Sequence, residues 1–289
     1  MEGRDVFLFA MYVQEYDADC PPPNTNRTYI SYVDSVGYLA SKPQGQRTAV
    51  YHALLHGYLQ FAASCGFEHA HIWVAPPTAG VEYIFHGRPA DPRPPMAVEV
   101  LRGWYERMLR GAEEKGIVRS WSTLEEHTSG LTSMRDFPLF DGDFFPDKVP
   151  EILERAEQSS SERRESPRGE KGKEKGKEKG KEKGKGKSPK MPSSPKVPSL
   201  LPRHKSMAIA DEMKAEVHGA AYSFLVASLA TAEEPIQPPR EPDIGPRELV
   251  DDREHFHEMC VSRHWQSDEL YRAHWSTMML LAVLGGPPD

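Results

Sequence analysis

The chain has 289 residues, 38% of them hydrophobic, which allows one large globular domain or two small ones. Its three cysteines, Cys20, Cys65 and Cys260, fit neither a disulfide framework nor a CxxC metal site and indicate a reducing compartment. No apolar run approaches the roughly 20 residues that span a bilayer, and the polar start MEGRD does not resemble a signal peptide. Composition therefore excludes a disulfide scaffold and a membrane-spanning protein, and it predicts a soluble intracellular one.

Charge is distributed unevenly along the chain. Residues 161–190 hold 13 Lys or Arg and 6 Glu, a net charge of +7, so the rest of a chain of formal charge −7 carries −14. Because the Lys/Gly/Glu repeat has no large apolar residue before Met191, we predict a disordered insert over residues 157–208 between folded parts 1–156 and 209–289. The acidic folded part would attract a basic partner, but acidic residues that only keep a surface soluble explain the charge equally well.

The part before the insert is predicted to alternate strands and helices. Runs of β-branched and aromatic residues predict strands over residues 6–13, 28–33 and 71–74, the last followed by a loop before the YIFH segment. A helix is predicted over residues 49–65, with an inner face made of Val50, Leu54, Tyr58 and Phe61. A second helix, ending by Gly116, carries Leu101, Trp104, Tyr105, Met108 and Leu109.

The part after the insert is too short to be complete alone. It is predicted to hold a strand over residues 221–229 and helices over 249–264 and 267–284, the last capped by Ser267. We expect the strand to join the sheet of the first part. The predicted fold is a single α/β domain with a central mixed sheet flanked by helices.

A polar turn and a basic helix start follow strand 28–33. Asp34 and Ser35 end the strand, and after a Pro/Gly stretch come Arg47 and Thr48, with Thr48 as the predicted N-cap of the helix. Free N–H groups at a helix start beside a guanidinium suit a pyrophosphate. An ordinary strand-to-helix loop is the alternative explanation.

Four blocks of the chain, in order, resemble the catalytic domain of histone acetyltransferases of the CREB-binding-protein type. They are DVFLFAMYVQEY (residues 5–16), the segment CPPPN to AVYH (20–52), the HIW, PP, YIFH and WY series (71–105), and RAHWSTMMLL (272–281). The resemblance implies a nuclear lysine acetyltransferase that uses acetyl-coenzyme A as co-substrate. It also implies histone tails and other lysine-rich proteins as substrates, transcription factors as further partners, and a role in chromatin and transcription regulation. A catalytically inactive acyl-coenzyme A-binding or scaffold relative is the alternative.

The resemblance assigns roles to individual residues. The predicted acetyl-coenzyme A site comprises Val33, Asp34, Ser35, Arg47, Thr48 and Trp104. Tyr105 is predicted to be the general acid, because a phenol with a pKa near 10 stays protonated at neutral pH and can donate to a departing thiolate. A core tyrosine is the alternative, since adjacent aromatic residues on a helix are usually packed.

An aromatic tunnel for the acceptor lysine is the other part of the resemblance. It would be formed by Tyr32, Trp73 and Tyr83, with Trp73 also grouped with Tyr105 as catalytic. An apolar tunnel favours the neutral amine that attacks the thioester. Glu82 beside the tunnel is predicted to recruit positively charged substrates.

The chain departs from the family in two places. The family has basic residues just before its WY helix, where this chain has MAVEV (residues 96–100). Either cofactor affinity is weakened, or Arg93 or Arg102 replaces that phosphate contact. The family's domain also carries strands upstream of DVFLF, and we expect the sheet to lack them.

Two further hypotheses come from other segments. His257, Cys260 and His264, with His255 nearby, would share a helix face and could hold zinc, but the segment aligns with a plain structural helix of the family, so we predict no metal site. The Lys/Gly insert could bind nucleic acid, although its interspersed Glu residues and lack of aromatic residues predict weak binding at most. The resembled family carries at this place a lysine-rich loop that folds over its own substrate site and is itself acetylated, so we predict autoinhibition relieved by self-acetylation. A solvated spacer without a regulatory effect is the alternative.

Overall fold

The computed structural model describes residues 3–39, 45–76, 78, 80–89, 96–165, 203–220, 223–236 and 252–284. Most of the predicted basic insert, residues 166–202, lies outside the described residues.

A five-stranded mixed sheet forms the centre of the domain. Its strands are β1 (Phe9–Tyr16), β2 (Arg27–Ser35), β3 (His69–Trp73), β4 (Val118–Thr123) and β5 (Phe224–Leu229). The spatial order is β1-β2-β3-β5-β4, and only the β2/β3 pair is parallel. β5 comes from the part after the insert and lies between β3 and β4, which confirms that both parts build one sheet.

Helices cover both faces of the sheet and its β1 edge. They are α1 (Gln46–Ser64), α2 (Val98–Glu114), α3 (Leu124–Thr128), α4 (Phe144–Glu165), α5 (Arg203–Gly219), α6 (Arg253–Ser262) and α7 (Leu270–Leu284). In the described part of the chain, no helix is both long and apolar enough to cross a bilayer.

The strands send alternate side chains into two cores. Ile30 and Ile72 pack with α1 and α2, while the neighbouring Tyr29 packs with α4 and α5. Phe145 of α4 and Met213 of α5 are almost fully buried in the second core. This three-layer arrangement confirms the predicted α/β fold with a mixed sheet flanked by helices.

The predicted inner face of α1 is wrong. Val50, Leu54 and Phe61 are 44 to 46% exposed. The buried positions are Tyr51, Leu55, His56, Leu59, Ala62 and Ala63. The helix carries apolar residues on two stripes, and the stripe with Leu55, Leu59 and Ala62 packs into the core with α2 and the sheet.

One strand boundary and three further elements also differ from the predictions. β1 begins at Phe9 rather than residue 6, because Phe7 turns toward α7 and donates its N–H to Thr277 Oγ1 at 2.9 Å. Strand β4 was not predicted, because its short run VRSWST lacks a clear alternation of apolar and polar residues. Helices α4 and α5 were not predicted either, and they extend into the ends of the predicted insert. The two helices pack together through Arg155 of α4, which pairs with Glu212 and Glu216 of α5.

Candidate active site

The Asp34 side chain, at the end of β2, anchors the loop of residues 80–89. Its carboxylate, 4% exposed, accepts hydrogen bonds from the N–H groups of Ile84 at 2.8 Å and Phe85 at 3.1 Å, and from Arg88 Nη2 at 2.8 Å. Burial raises the pKa of Asp34, and Arg88 and the N–H donors oppose that rise. The side chain of Asp34, a predicted cofactor residue, therefore positions this loop.

The residues beside Asp34 border the same region. Ser35 donates its N–H to Asp34 Oδ1 at 2.8 Å. Val33 pairs with Met11 of β1 and packs against the core beneath α1 and α2. Both residues are half-buried, so their backbone stays near the loop anchored by Asp34.

Helix α1 begins two residues before the predicted N-cap. Its N-cap is Gly45 with φ 98°, a left-handed conformation that glycine adopts at little cost, so Thr48 lies in the first turn and is not the cap. No side chain caps the first turn, and the turn contains no acidic residue. Arg47 and Thr48, both half-buried, lie among N–H groups that lack helical partners. This donor set fits a phosphate group.

Trp104 of α2 lies against the same end of α1. Its ring centroid is 4.5 Å from that of His52, which is one turn after Thr48, and the two rings are steeply tilted. The structure therefore brings Trp104 close to the α1 start, as the predicted cofactor site requires.

Of the two arginines predicted to replace the missing phosphate contact, the structure describes one. Arg102 Nε donates to Glu106 Oε1 at 2.8 Å along α2, and its side chain is 15% exposed. Arg93 lies outside the described residues.

Tyr105 is buried in the core between α1, α2 and the sheet. It is 5% exposed, and the neighbouring Trp104 ring lies 5.0 Å away at 89°. Burial, and to a lesser extent Tyr83, raises the pKa of Tyr105 above its ordinary value. Its phenol therefore remains protonated throughout the neutral range.

Two of the three predicted tunnel residues are in contact. The Tyr32 and Tyr83 rings lie 5.4 Å apart, edge to face. Arg253 of α6 lies over the Tyr32 ring at 4.6 Å and donates from Nη1 to the Tyr83 carbonyl at 3.0 Å. Sequence reasoning missed Arg253, because no local signal links a residue to a partner 170 positions away.

Trp73, the third tunnel residue, has its ring contacts in another part of the core. Trp73 ends β3, and its ring contacts are with Phe224 at 4.4 Å and Phe144 at 6.4 Å, in the core of α4 and α5. The structure does not group it with the Tyr32 and Tyr83 rings. Trp73 is half-buried at the end of β3.

Glu82 is already engaged by the protein. It accepts hydrogen bonds from Gly87 N–H at 2.7 Å and contacts His86 Nδ1 at 2.8 Å and His257 Nε2 at 3.0 Å. Burial works against its charge, but these three contacts prevail and lower the pKa of Glu82. The predicted substrate-recruiting carboxylate is thus the centre of a cluster.

The helix-face zinc set considered from the sequence is not assembled. α6 ends at Ser262, and His264 follows it with φ 55°. Cys260 is buried with Trp265 and Leu280, and burial raises the pKa of its thiol to about 11. Of that set, His255 pairs with Asp252, and His257 joins Glu82 and His86 in a group of three potential ligands.

Comparisons with known proteins identify the family of this domain. A family model for the histone acetyltransferase domain KAT3 matches residues 1–216. Protein cbp-1 of Caenorhabditis elegans is 37% identical over 166 residues, covering 57% of this chain and 8% of the relative. Histone acetyltransferase HAC12 of Arabidopsis thaliana is 36% identical over 182 residues, covering 58% of this chain and 11% of the relative. The chain thus spans about a tenth of the length of these relatives.

The α/β domain is thus of the class that this family model defines. The chain belongs to the KAT3 histone acetyltransferase domain family.

Proposed function

We propose that the chain transfers the acetyl group of acetyl-coenzyme A to lysine side chains of histone tails and other lysine-rich proteins. The observation that carries this proposal is the convergence of the uncapped α1 start, Trp104, the buried Tyr105 and the Tyr32/Tyr83 pair within the part that the family model matches.

Acetyl-coenzyme A supplies an acetyl group activated as a thioester. Its pyrophosphate would be held by the first-turn N–H groups of α1 together with Arg47 and Thr48. Trp104, which packs on the same end of α1, would cover the pantetheine. Val33 and Ser35 would border it with backbone groups, while the side chain of Asp34 keeps the neighbouring loop in place.

Tyr105 would stabilise the departing sulfur. Its raised pKa lies above the value of about 10 of a free phenol, whereas a thiol has a pKa of about 8.5, so complete proton transfer to the thiolate is uphill by at least about 2 kcal/mol. A hydrogen bond from Tyr105 Oη needs no such transfer and still offsets the developing charge. The proton therefore stays on Oη in this proposal.

The acceptor lysine must lose its proton before it attacks. The rings of Tyr32 and Tyr83 offer an apolar approach, which disfavours an ammonium group. Arg253 over the Tyr32 ring adds a positive charge that disfavours it further. Trp73 would border the approach from the end of β3.

The cellular setting is part of the same proposal. Relatives named as histone acetyltransferases support histones as substrates. A nuclear location, a role in chromatin and transcription regulation, and transcription factors as partners are the further parts of this proposal. The basic segment 161–190 would contribute at most weak binding to nucleic acid.

The test is an acetyl transfer assay on the purified chain with labelled acetyl-coenzyme A and histone peptides. We expect label on lysine side chains, located by mass spectrometry. Thermal stabilisation by acetyl-coenzyme A without transfer would replace the proposal with the inactive, cofactor-binding alternative. Neither stabilisation nor transfer would overturn both.

A further inference from the structure

Two histidines and one carboxylate meet where the loop of residues 80–89 touches α6. Glu82 Oε2 lies 2.8 Å from His86 Nδ1 and 3.0 Å from His257 Nε2. The three ligand atoms all lie within 4.8 Å of one another. Among the described residues this is the one group of three His, Cys, Asp or Glu side chains so arranged. His257 is 175 positions from Glu82, so the tertiary fold creates the cluster.

The cluster is held in place and is accessible. Gly87 N–H donates to Glu82 Oε1 at 2.7 Å, which leaves Oε2 to face both imidazoles. The rings of His86 and His257 are 5.6 Å apart and nearly perpendicular, so their nitrogens approach Oε2 from two directions. The three side chains are 19 to 29% exposed, so solvent ions can reach them.

Two imidazole nitrogens and a carboxylate oxygen are the ligand set of open zinc sites, which complete their shell with water. Bond lengths of about 2.0–2.2 Å around a tetrahedral ion place ligand atoms roughly 3.3–3.5 Å apart. The two contacts to Glu82 Oε2 would open by about half an ångström, which small side-chain rotations provide. Each neutral imidazole would bind the ion through the nitrogen that faces Glu82 and carry its proton on the other ring nitrogen.

We propose that Glu82, His86 and His257 bind one Zn²⁺ or a similar divalent transition-metal ion. The ion joins α6 to the loop that carries Tyr83. Since α6 also holds Tyr83 and Tyr32 through Arg253, the ion reinforces the contact between α6 and this aromatic pair. The proposal concerns metal binding and does not depend on acetyl transfer.

The test uses the full chain, stripped of metal with a chelator and titrated with Zn²⁺ against a chromophoric competitor. A parallel titration with Co²⁺ follows the visible absorption of the bound ion. We expect one tight equivalent of either ion, and a melting temperature that rises by several degrees in excess Zn²⁺.

The decisive variant is His257→Gln, whose amide still donates to Glu82 but is a poor metal ligand. We expect it to weaken Zn²⁺ binding at least tenfold and to abolish the cobalt absorption. The matched control is His255→Gln, on the same helix but directed to Asp252, and it should keep wild-type affinity. Circular dichroism of both variants checks folding.

His86→Gln provides an independent variant should His257→Gln fold poorly, and it should show the same loss. Wild-type protein that binds zinc no more tightly than His257→Gln would overturn the proposal and leave a hydrogen-bonded cluster only. Equal weakening by His255→Gln would overturn it as well.

Discussion

Tyr105 is the residue whose environment bears most directly on the proposed chemistry. Burial raises its pKa, so its proton is present at every pH at which the protein is assayed. We expect Tyr105→Phe to lower kcat by about 10² to 10⁴ and to leave acetyl-coenzyme A binding nearly unchanged, because one hydrogen bond to the departing sulfur is lost. Steady-state kinetics and calorimetric titration of the cofactor measure the two effects.

Tyr271→Phe is the matched control, since Tyr271 is 66% exposed on α7. It should behave as wild type in both measurements. Wild-type kcat in Tyr105→Phe would leave Tyr105 with a packing role only.

Asp143 provides a test of stability against pH. The residue is 5% exposed, accepts from Tyr29 Oη at 3.2 Å and from the Phe144 N–H, and burial raises its pKa to about 6. Because the folded protein holds this proton more tightly than the unfolded chain, stability falls as pH rises from about 4 to 6. The ionised carboxylate then costs on the order of 3 kcal/mol.

Asp143→Asn keeps the acceptor oxygen and removes the charge. It should raise the free energy of unfolding at pH 7.5, by up to about 3 kcal/mol, and change it little at pH 4. Urea denaturation at the two pH values measures this, with the exposed Asp141→Asn as control. An equal effect of Asp143→Asn at both pH values would contradict the assigned pKa shift.

At the scale of the element, helix α1 has two adjacent apolar faces, and only one of them is buried. Leu54 is 46% exposed and the next residue, Leu55, is fully buried. We expect Leu55→Ala to lower the free energy of unfolding by about 2–5 kcal/mol and Leu54→Ala by less than about 1 kcal/mol. Chemical denaturation of the two variants decides which stripe packs on the sheet. The opposite order would restore the inner face predicted from the sequence.

The start of α1 offers a second matched pair. Gly45 has φ 98°, so Gly45→Ala should destabilise the protein by about 1–2 kcal/mol and weaken acetyl-coenzyme A binding by disturbing the first turn. Gly57, exposed in the middle of the same helix, has open space for a side chain. Gly57→Ala should stabilise by up to about 1 kcal/mol and leave cofactor binding unchanged. Destabilisation by both variants would argue against a special role for the α1 start.

At the scale of the whole molecule, the basic segment links charge to regulation. Residues 161–190 carry a net charge of +7, and the rest of the chain carries −14. We therefore predict that the segment competes with basic substrates until its lysines are acetylated. Replacing residues 171–187 with Gly/Ser should raise the initial rate and remove any lag in product formation. The gain should shrink as added salt shortens the Debye length below about 8 Å.

A variant with arginine at every lysine of this stretch is the control. It keeps the charge but cannot be acetylated, so the low initial rate should persist without relief. Unchanged rate and lag in the Gly/Ser variant would show that the segment is only a spacer.

The sequence by itself determined the parts of this protein whose signals are local. Strand β2 and helix α2 follow from runs of β-branched and aromatic residues and from helical periodicity, and both lie where they were predicted. The family followed from four ordered blocks, and the family model confirms it. The shared sheet followed because a lone strand after the insert needed partners.

Only the tertiary structure decided which of several local options was used. Periodicity could not choose between the two apolar stripes of α1, because both satisfy the helical repeat and only the sheet distinguishes them. From the sequence, Glu82 was predicted to be a charge that recruits substrates. In the structure it contacts His257, which lies 175 positions away in the chain. Arg253 reaches Tyr32 in the same way. Hydrogen bonds and ring contacts between distant segments leave no periodic trace in the chain, so packing alone places them.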